Sequence, residues 1–191
     1  MTITEQKILN AIKHFSKKTR NVGRTKLFKL LYFLDFMYFK KHGLSVTCYD
    51  YYAFPFGPVP NKLYDQIVND NLPDSFNKEL KFIKTDADDD DDQYLRFKVL
   101  LKKPEIDYTC FTPYEKEMLE TVTLIFKYAS AKDMTEITHL HNSPWDRTIK
   151  QYGMFKPIDY LLAVDDEAQF DINFLRERFD IQKNQCLNGR L

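Results

Sequence analysis

The sequence predicts a single α+β domain, mostly helical, with one apolar helix at its centre and a small antiparallel hairpin beside it. Three observations carry that prediction. Residues 25–42 hold leucines and aromatics at a density no surface helix would show. Two segments, 81–85 and 93–102, have strand composition and flank an acidic stretch. Helix-start patterns recur at Thr2, Thr112, Ser130 and Ser143. The 191 residues fit one domain of ordinary size, and no internal repeat or long linker divides them. The domain is expected over 1–181, with a frayed polar tail over 182–191.

The first helix runs from Thr2 to about Lys18, with Ile8, Leu9, Ile12 and Phe15 on one side and Thr2 and Glu5 spaced as a capping box. Lys13, Lys17, Lys18 and Arg20, continued by Arg24 and Lys26, form a basic edge. No aromatic is interleaved at stacking spacing, so this reads as a solvated helix end rather than a nucleic-acid footprint.

In the central helix Leu27, Leu30, Leu31, Leu34, Met37 and Tyr38 make one stripe and Phe28, Tyr32, Phe36 and Phe39 a second. Leu30, Leu31 and Leu34 are assigned to the core. Thr25 is expected as N-cap, Lys40, Lys41 and His42 complement the C-terminal end of the macrodipole, and Gly43 supplies the left-handed stop.

Residues 44–54 read as a strand or extended segment ending at Pro55. Gly57-Pro58-Val59-Pro60 cannot be helix interior, and makes a stiff entry to a helix over 61–71 carrying Leu63, Tyr64, Ile67 and Val68. Leu72-Pro73-Asp74 stops it. In the hairpin Tyr94, Arg96 and Lys98 alternate with Leu95, Phe97 and Val99. The tip, 86–92, lacks the spacing, central glycine and distal glutamate of a calcium loop, and is read as a self-repelling, solvated turn.

Thr112-Pro113-Tyr114-Glu115 opens a helix with Met118, Leu119, Val122, Ile125 and Phe126 as its buried stripe. Ser130 and Asp133 cap the next, through Met134, Ile137 and Leu140. Ser143 and Pro144 start a short helix with Trp145 in its first turn. A short element at Pro157–Leu162 and a last helix over 171–179, with Ile172, Leu175 and Phe179 on one face, complete the chain.

Composition bounds the function. Net charge is zero, so no overall field draws the chain to nucleic acid or anionic lipid. The first residues lack a signal peptide's basic start and apolar core, and no stretch is long enough to span a membrane, so a cytoplasmic protein is expected. Cys48, Cys110 and Cys186 are odd in number and widely spaced, which suits reduced thiols better than a disulfide frame or a zinc site.

Chemistry is sparse. His139 and His141, at i and i+2, point about 200° apart on a helix and read as one packing and one capping or solvent histidine rather than metal ligands. No nucleophile elbow, phosphate-binding glycine loop or paired-histidine zinc motif is present, which disfavours an enzyme. Asp35 lies inside the apolar helix and must be paired or open to solvent. Tyrosine hydroxyls, Arg24 or Arg147 are its candidate partners, in a structural role.

Four segments in order resemble the Panacea domain family of SocA-like and phage GepA-like antitoxins. They are Lys26–Asp35, the aromatic strand into Phe56–Pro60 with Leu63 and Tyr64, the Thr112–Glu115 helix start, and His141–Trp145. The resemblance covers about residues 5–160 and implies an α-rich α+β domain without enzymatic activity or cofactor. It implies a cognate protein toxin as partner, neutralised by direct binding or, in some members, by presentation to a cytoplasmic AAA+ protease. Neither a membrane nor a nucleic-acid partner is expected, and the chain begins too near the domain to hold the upstream helix-turn-helix of some relatives. The acidic tip and the tail after residue 165 depart from the simplest members and are candidates for toxin choice. The partner surface is expected at Tyr51, Tyr52, Phe54, Phe56 and Pro58, with Trp145, Asp146 and Arg147 as a second candidate. For Trp145, clamping its short helix to the core is the competing role. A mobile-element accessory protein binding another host protein, and an enzyme using Asp35 or the histidines, are the alternatives.

Overall fold

A computed structural model describes residues 1–85, 96–166, 168 and 170–187. Its helices are α1 (Ile3–Lys18), α2 (Arg24–His42), α3 (Asn61–Val68), α4 (Asp74–Asn77), α5 (Pro113–Phe126), α6 (Ala131–Thr138), α7 (Pro144–Tyr152) and α8 (Ile172–Leu187). Two antiparallel hairpins accompany them, β1 (Tyr51–Phe54) with β2 (Gly57–Pro60) and β3 (Leu80–Thr85) with β4 (Arg96–Leu101). The α+β class expected from the sequence is the class observed. The acidic tip, 86–92, lies outside the described residues.

Helix α2 is the axis of the fold. Leu27, Leu30, Leu31, Leu34 and Phe39 are fully enclosed, and α1, α5, α6, α8, β2 and β4 all pack against it. Enclosure on every side explains why two apolar stripes, and not one, run along this helix. Gly43 ends it in the left-handed conformation, with its N–H bonded to the Phe39 carbonyl at 2.7 Å. The N-cap is Gly23 and not Thr25. Gly23 forms a β-bridge with Lys98 of β4, so the sheet decides where the chain turns into the helix.

The basic edge is only partly solvated. Lys26 is buried, and its Nζ donates to the carbonyls of Arg20 at 2.7 Å and Ala129 at 2.6 Å. Lys13 is buried too, and donates to Glu79 at 2.8 Å and to the Glu105 carbonyl at 3.0 Å. Both lysines lay their methylene stems in the core and satisfy the charged end at fixed acceptors, a disposition that charge counting alone does not reveal.

The capping boxes at Thr2, Thr112 and Ser130 form with reciprocal hydrogen bonds, and Ser143 caps α7 through the Asp146 N–H. Stripe assignment is less accurate near helix ends. Ile125, Ile137 and Leu140 are exposed, because α5 and α6 reach the surface before their apolar pattern stops.

Helix α8 extends beyond the expected end at residue 179 and continues through the part of the tail expected to fray. It is held there by contacts that no periodicity shows: the Gln182 side chain bonds both the N–H and the carbonyl of Ser45 at 2.8 Å, and Lys183 pairs with Asp50. Residues 188–191 lie outside the description. Cys48 and Cys186 are paired as a disulfide, against the expectation of three reduced thiols, because the fold brings together two residues 138 positions apart. Cys110 is free and buried. Among the described residues no helix is long and apolar enough to cross a membrane.

Candidate interaction surface

The site is assembled outward from Asp35. Its side chain is fully buried on α2, yet four donors converge on it: the N–H groups of Val46 at 2.8 Å and Thr47 at 2.9 Å, the Thr47 hydroxyl, and the Tyr51 hydroxyl at 2.8 Å. Burial pushes the carboxyl up from its ordinary range, while the Thr47 and Tyr51 donors pull it back. Of the partners expected from sequence, tyrosine hydroxyls, Arg24 or Arg147, the structure supplies a tyrosine, Tyr51, joined by the Thr47 side chain and two backbone amides. The carboxyl ties the loop after α2 and the start of β1 to the central helix, which is a positioning role.

The loop continues into the β1–β2 hairpin, with Tyr51 opposite Pro60 and Phe54 opposite Gly57. Gly57 has φ of 93°, and a Cβ there would stand 2.5 Å from the Thr138 hydroxyl and 2.7 Å from Lys29 Nζ. Only glycine fits. Lys29 is itself enclosed and donates to the Pro58 carbonyl at 2.9 Å, and burial holds its ammonium well below the usual lysine range. Pro58 and Pro60 lack a donor to lose, so a two-stranded pairing in which they face the core is inexpensive.

On the other side of β1 lies residues 155–158. The Phe155 N–H donates to Ala53 O at 2.8 Å, Ala53 N–H to Lys156 O at 2.9 Å, and Ile158 N–H to Tyr51 O at 2.8 Å. Trp145, in the first turn of α7, donates its indole N–H to the Phe54 carbonyl at 2.9 Å and stacks on His139 with centroids 3.8 Å apart. The hairpin is therefore braced from α2, α6, α7 and the 155–158 segment.

This framework sorts the expected partner residues. Tyr51 is a core residue with no exposed surface, and Pro58 is buried; both leave the candidate surface, because β1 turns its odd positions inward and β2 lies against α2. Tyr52 and Phe54 are half-buried, and Phe56 at the hairpin turn is 46% exposed. Trp145 is half-buried in the clamping position. Asp146 accepts from the Asn142 N–H at 2.9 Å and from Lys150 at 2.7 Å, contacts that hold its carboxyl below the usual range, with Lys150 the larger cause. Arg147 is exposed and reaches the Leu162 carbonyl at 3.3 Å.

Sequence reasoning missed three residues beside these. Tyr152, Met154 and Phe155 are 59%, 41% and 57% exposed, and the Phe155 ring meets Phe54 edge-on with centroids 5.0 Å apart. Phe155 has φ of 60°, a conformation that costs a side chain of this size on the order of 1–2 kcal/mol. Gly153, ending α7, was the available signal: three large apolar residues flank a helix stop, where no amphipathic pattern can bury them. Phe155, flanked in the chain by the exposed Tyr152 and Met154, and Phe56 at the hairpin turn are exposed apolar side chains, and Phe155 rests on Phe54, which packs in turn against Tyr64 with centroids 5.2 Å apart.

His139 packs against Trp145, and His141 stands apart on the exposed turn after α6. Among the described residues no group of histidine, cysteine and carboxylate side chains could hold a metal ion. A groove elsewhere, between α3 and the β3–β4 hairpin, is lined by Ile67, Leu72, Phe82 and Phe97 with Asp70, Lys81, Lys84 and Lys102.

The family model described as Antitoxin SocA-like, Panacea domain, matches residues 27–146, more than half of the chain, which takes in α2 from Leu27 onward, the β1–β2 hairpin and the first turn of α7. No curated protein and no solved structure matches.

Proposed function

We propose that this chain, which belongs to the family of SocA-like antitoxins with a Panacea domain, neutralises a cognate protein toxin by gripping it directly with the rings around the proline corner. One observation supports this above the others. Phe56, at the turn of a hairpin tied down from several directions, and Phe155, on the segment paired with that hairpin, are exposed, and Phe155 keeps a strained backbone to stay there. Large rings on a pre-ordered base bury much apolar area while losing little freedom on binding, as interface anchors do. Backbone strain of this kind persists where surrounding structure enforces it, and such positions cluster at functional sites.

On this reading the protein is cytoplasmic and carries out no catalytic step. Asp35 and Lys29 are spent on positioning: each is enclosed and satisfied by groups of the hairpin or its approach. Neutralisation follows from occupying the toxin's surface, and delivery of the bound toxin to a AAA+ protease is a further step compatible with it.

Co-expression with the product of the neighbouring gene tests the reading. Growth rescue together with co-purification of the two chains is expected. Rescue without a complex, or a complex without rescue, would overturn direct neutralisation.

A further inference from the structure

Cys48 and Cys186 meet where two segments are already held together by other contacts. Cys48 lies in the loop after α2, whose backbone is fixed by Asp35 at Val46 and Thr47 and by the Ser45 hydroxyl, which accepts from the Cys48 N–H at 2.9 Å. Cys186 lies on the last turn of α8, one turn beyond Gln182, whose amide clamps both backbone groups of Ser45. Lys183 on the same turn pairs with Asp50. The inner face of α8 reads Leu175, Phe179, Gln182 and Cys186, at i, i+4, i+7 and i+11, so one helical stripe brings the thiol back over the loop. Noncovalent contacts bring the two sulfurs together, and the Cα atoms stand 6.7 Å apart, within the span a disulfide bridges.

The third cysteine provides a contrast. Cys110 is buried, its Sγ donates to the Asp107 carbonyl at 3.1 Å, and burial pushes its thiol up to about 11. Little thiolate exists there at neutral pH, so it is a poor nucleophile and a poor rival for exchange. Cys48 and Cys186 are both half-buried, so a small thiol or disulfide has access to them.

We propose that Cys48 and Cys186 form a reversible thiol–disulfide couple that locks α8 onto the loop after α2. Oxidation uses a low-molecular-weight disulfide. One protein thiolate attacks it, releasing one small thiol and leaving a mixed disulfide; the other protein thiolate then attacks the protein-linked sulfur, closing the bridge and releasing the second small thiol. Two protein thiols lose two electrons and two protons, and the small disulfide gains them as two thiols. In the reduced state α8 keeps its noncovalent clamp but opens more often. The couple lies outside the family-matched residues at Cys186, so it adds a condition to the C-terminal extension without entering the toxin surface.

The test uses the full chain, incubated with oxidised glutathione or with dithiothreitol, alkylated, and mapped by mass spectrometry, with amide exchange read over residues 180–187. After oxidation, the Cys48 and Cys186 peptides are expected to be joined, separable by dithiothreitol, with Cys110 alkylated only after unfolding. Exchange over the last turns of α8 is expected to slow at least about tenfold on oxidation, and not to change in Cys186→Ser or Cys48→Ser. Independent alkylation of the two cysteines after oxidation would overturn the proposal, as would a bridge to Cys110. A bridge that forms without slowing exchange would overturn the lock.

Discussion

Replacing Asp35 with alanine removes the acceptor for four donors in an enclosed space. The hydroxyls of Thr47 and Tyr51 can rotate toward other acceptors, but the amides of Val46 and Thr47 are fixed by the backbone. An unsatisfied buried donor costs about 1–3 kcal/mol, so two of them set a loss of roughly 2–6 kcal/mol, reduced by relief of the buried charge. A loss of about 3 kcal/mol is expected, a large part of a typical domain's 5–15 kcal/mol. Asparagine is the informative second variant. Its carbonyl keeps both amides satisfied, and its NH2 group meets two hydroxyls able to accept, so Asp35→Asn should lose only about 1 kcal/mol. Urea unfolding followed by circular dichroism reads both. If alanine cost less than about 1 kcal/mol, or asparagine as much as alanine, the four-donor cage would not be what holds the hairpin's approach.

Lys29 gives a pH signature: because burial lowers its folded-state value from 10.5, the unfolded chain binds the extra proton and stability rises with pH, from the depressed folded value up to about 10.5. The slope contributed is at most about 1.4 kcal/mol per pH unit, and Lys29→Met should remove it from unfolding free energies measured across that range. Gly57→Ala places a methyl against Lys29 and Thr138 at a positive φ, and should lower stability by about 2 kcal/mol or more in the same urea assay. Trp145→Phe deletes the donor to the Phe54 carbonyl, and should cost about 1–2 kcal/mol in thermal unfolding while weakening toxin binding through a looser hairpin.

Much of the fold was readable because its signals are local. The stripes of α2, the Gly43 stop and the capping boxes at Thr2, Thr112 and Ser130 are set by residues within one turn of each other. What failed depends on distant partners. Gly23 displaces Thr25 as the cap because of a bridge to Lys98, and Lys26 is buried because the carbonyls of Arg20 and Ala129 receive it. The length of α8 and the pairing of its cysteine are set by Ser45, Asp50 and Cys48, far away in sequence. At the site, the aromatic excess near Pro58 was legible, but which ring faces outward was not. Tyr51 is drawn inside by Asp35, and Phe155 arrives from the end of α7 by backbone pairing with Ala53.

The central claim, that exposed rings on a braced proline corner grip the toxin, is tested most directly by calorimetric titration of purified cognate toxin into wild-type protein and into the Phe56→Ala/Phe155→Ala double variant. The two are expected to melt within a few degrees of each other, since each ring keeps about half of its surface in solvent, while affinity for the toxin falls at least about a hundredfold, as loss of two anchors near 1.5 kcal/mol each implies. Unchanged affinity in a folded double variant would contradict the account.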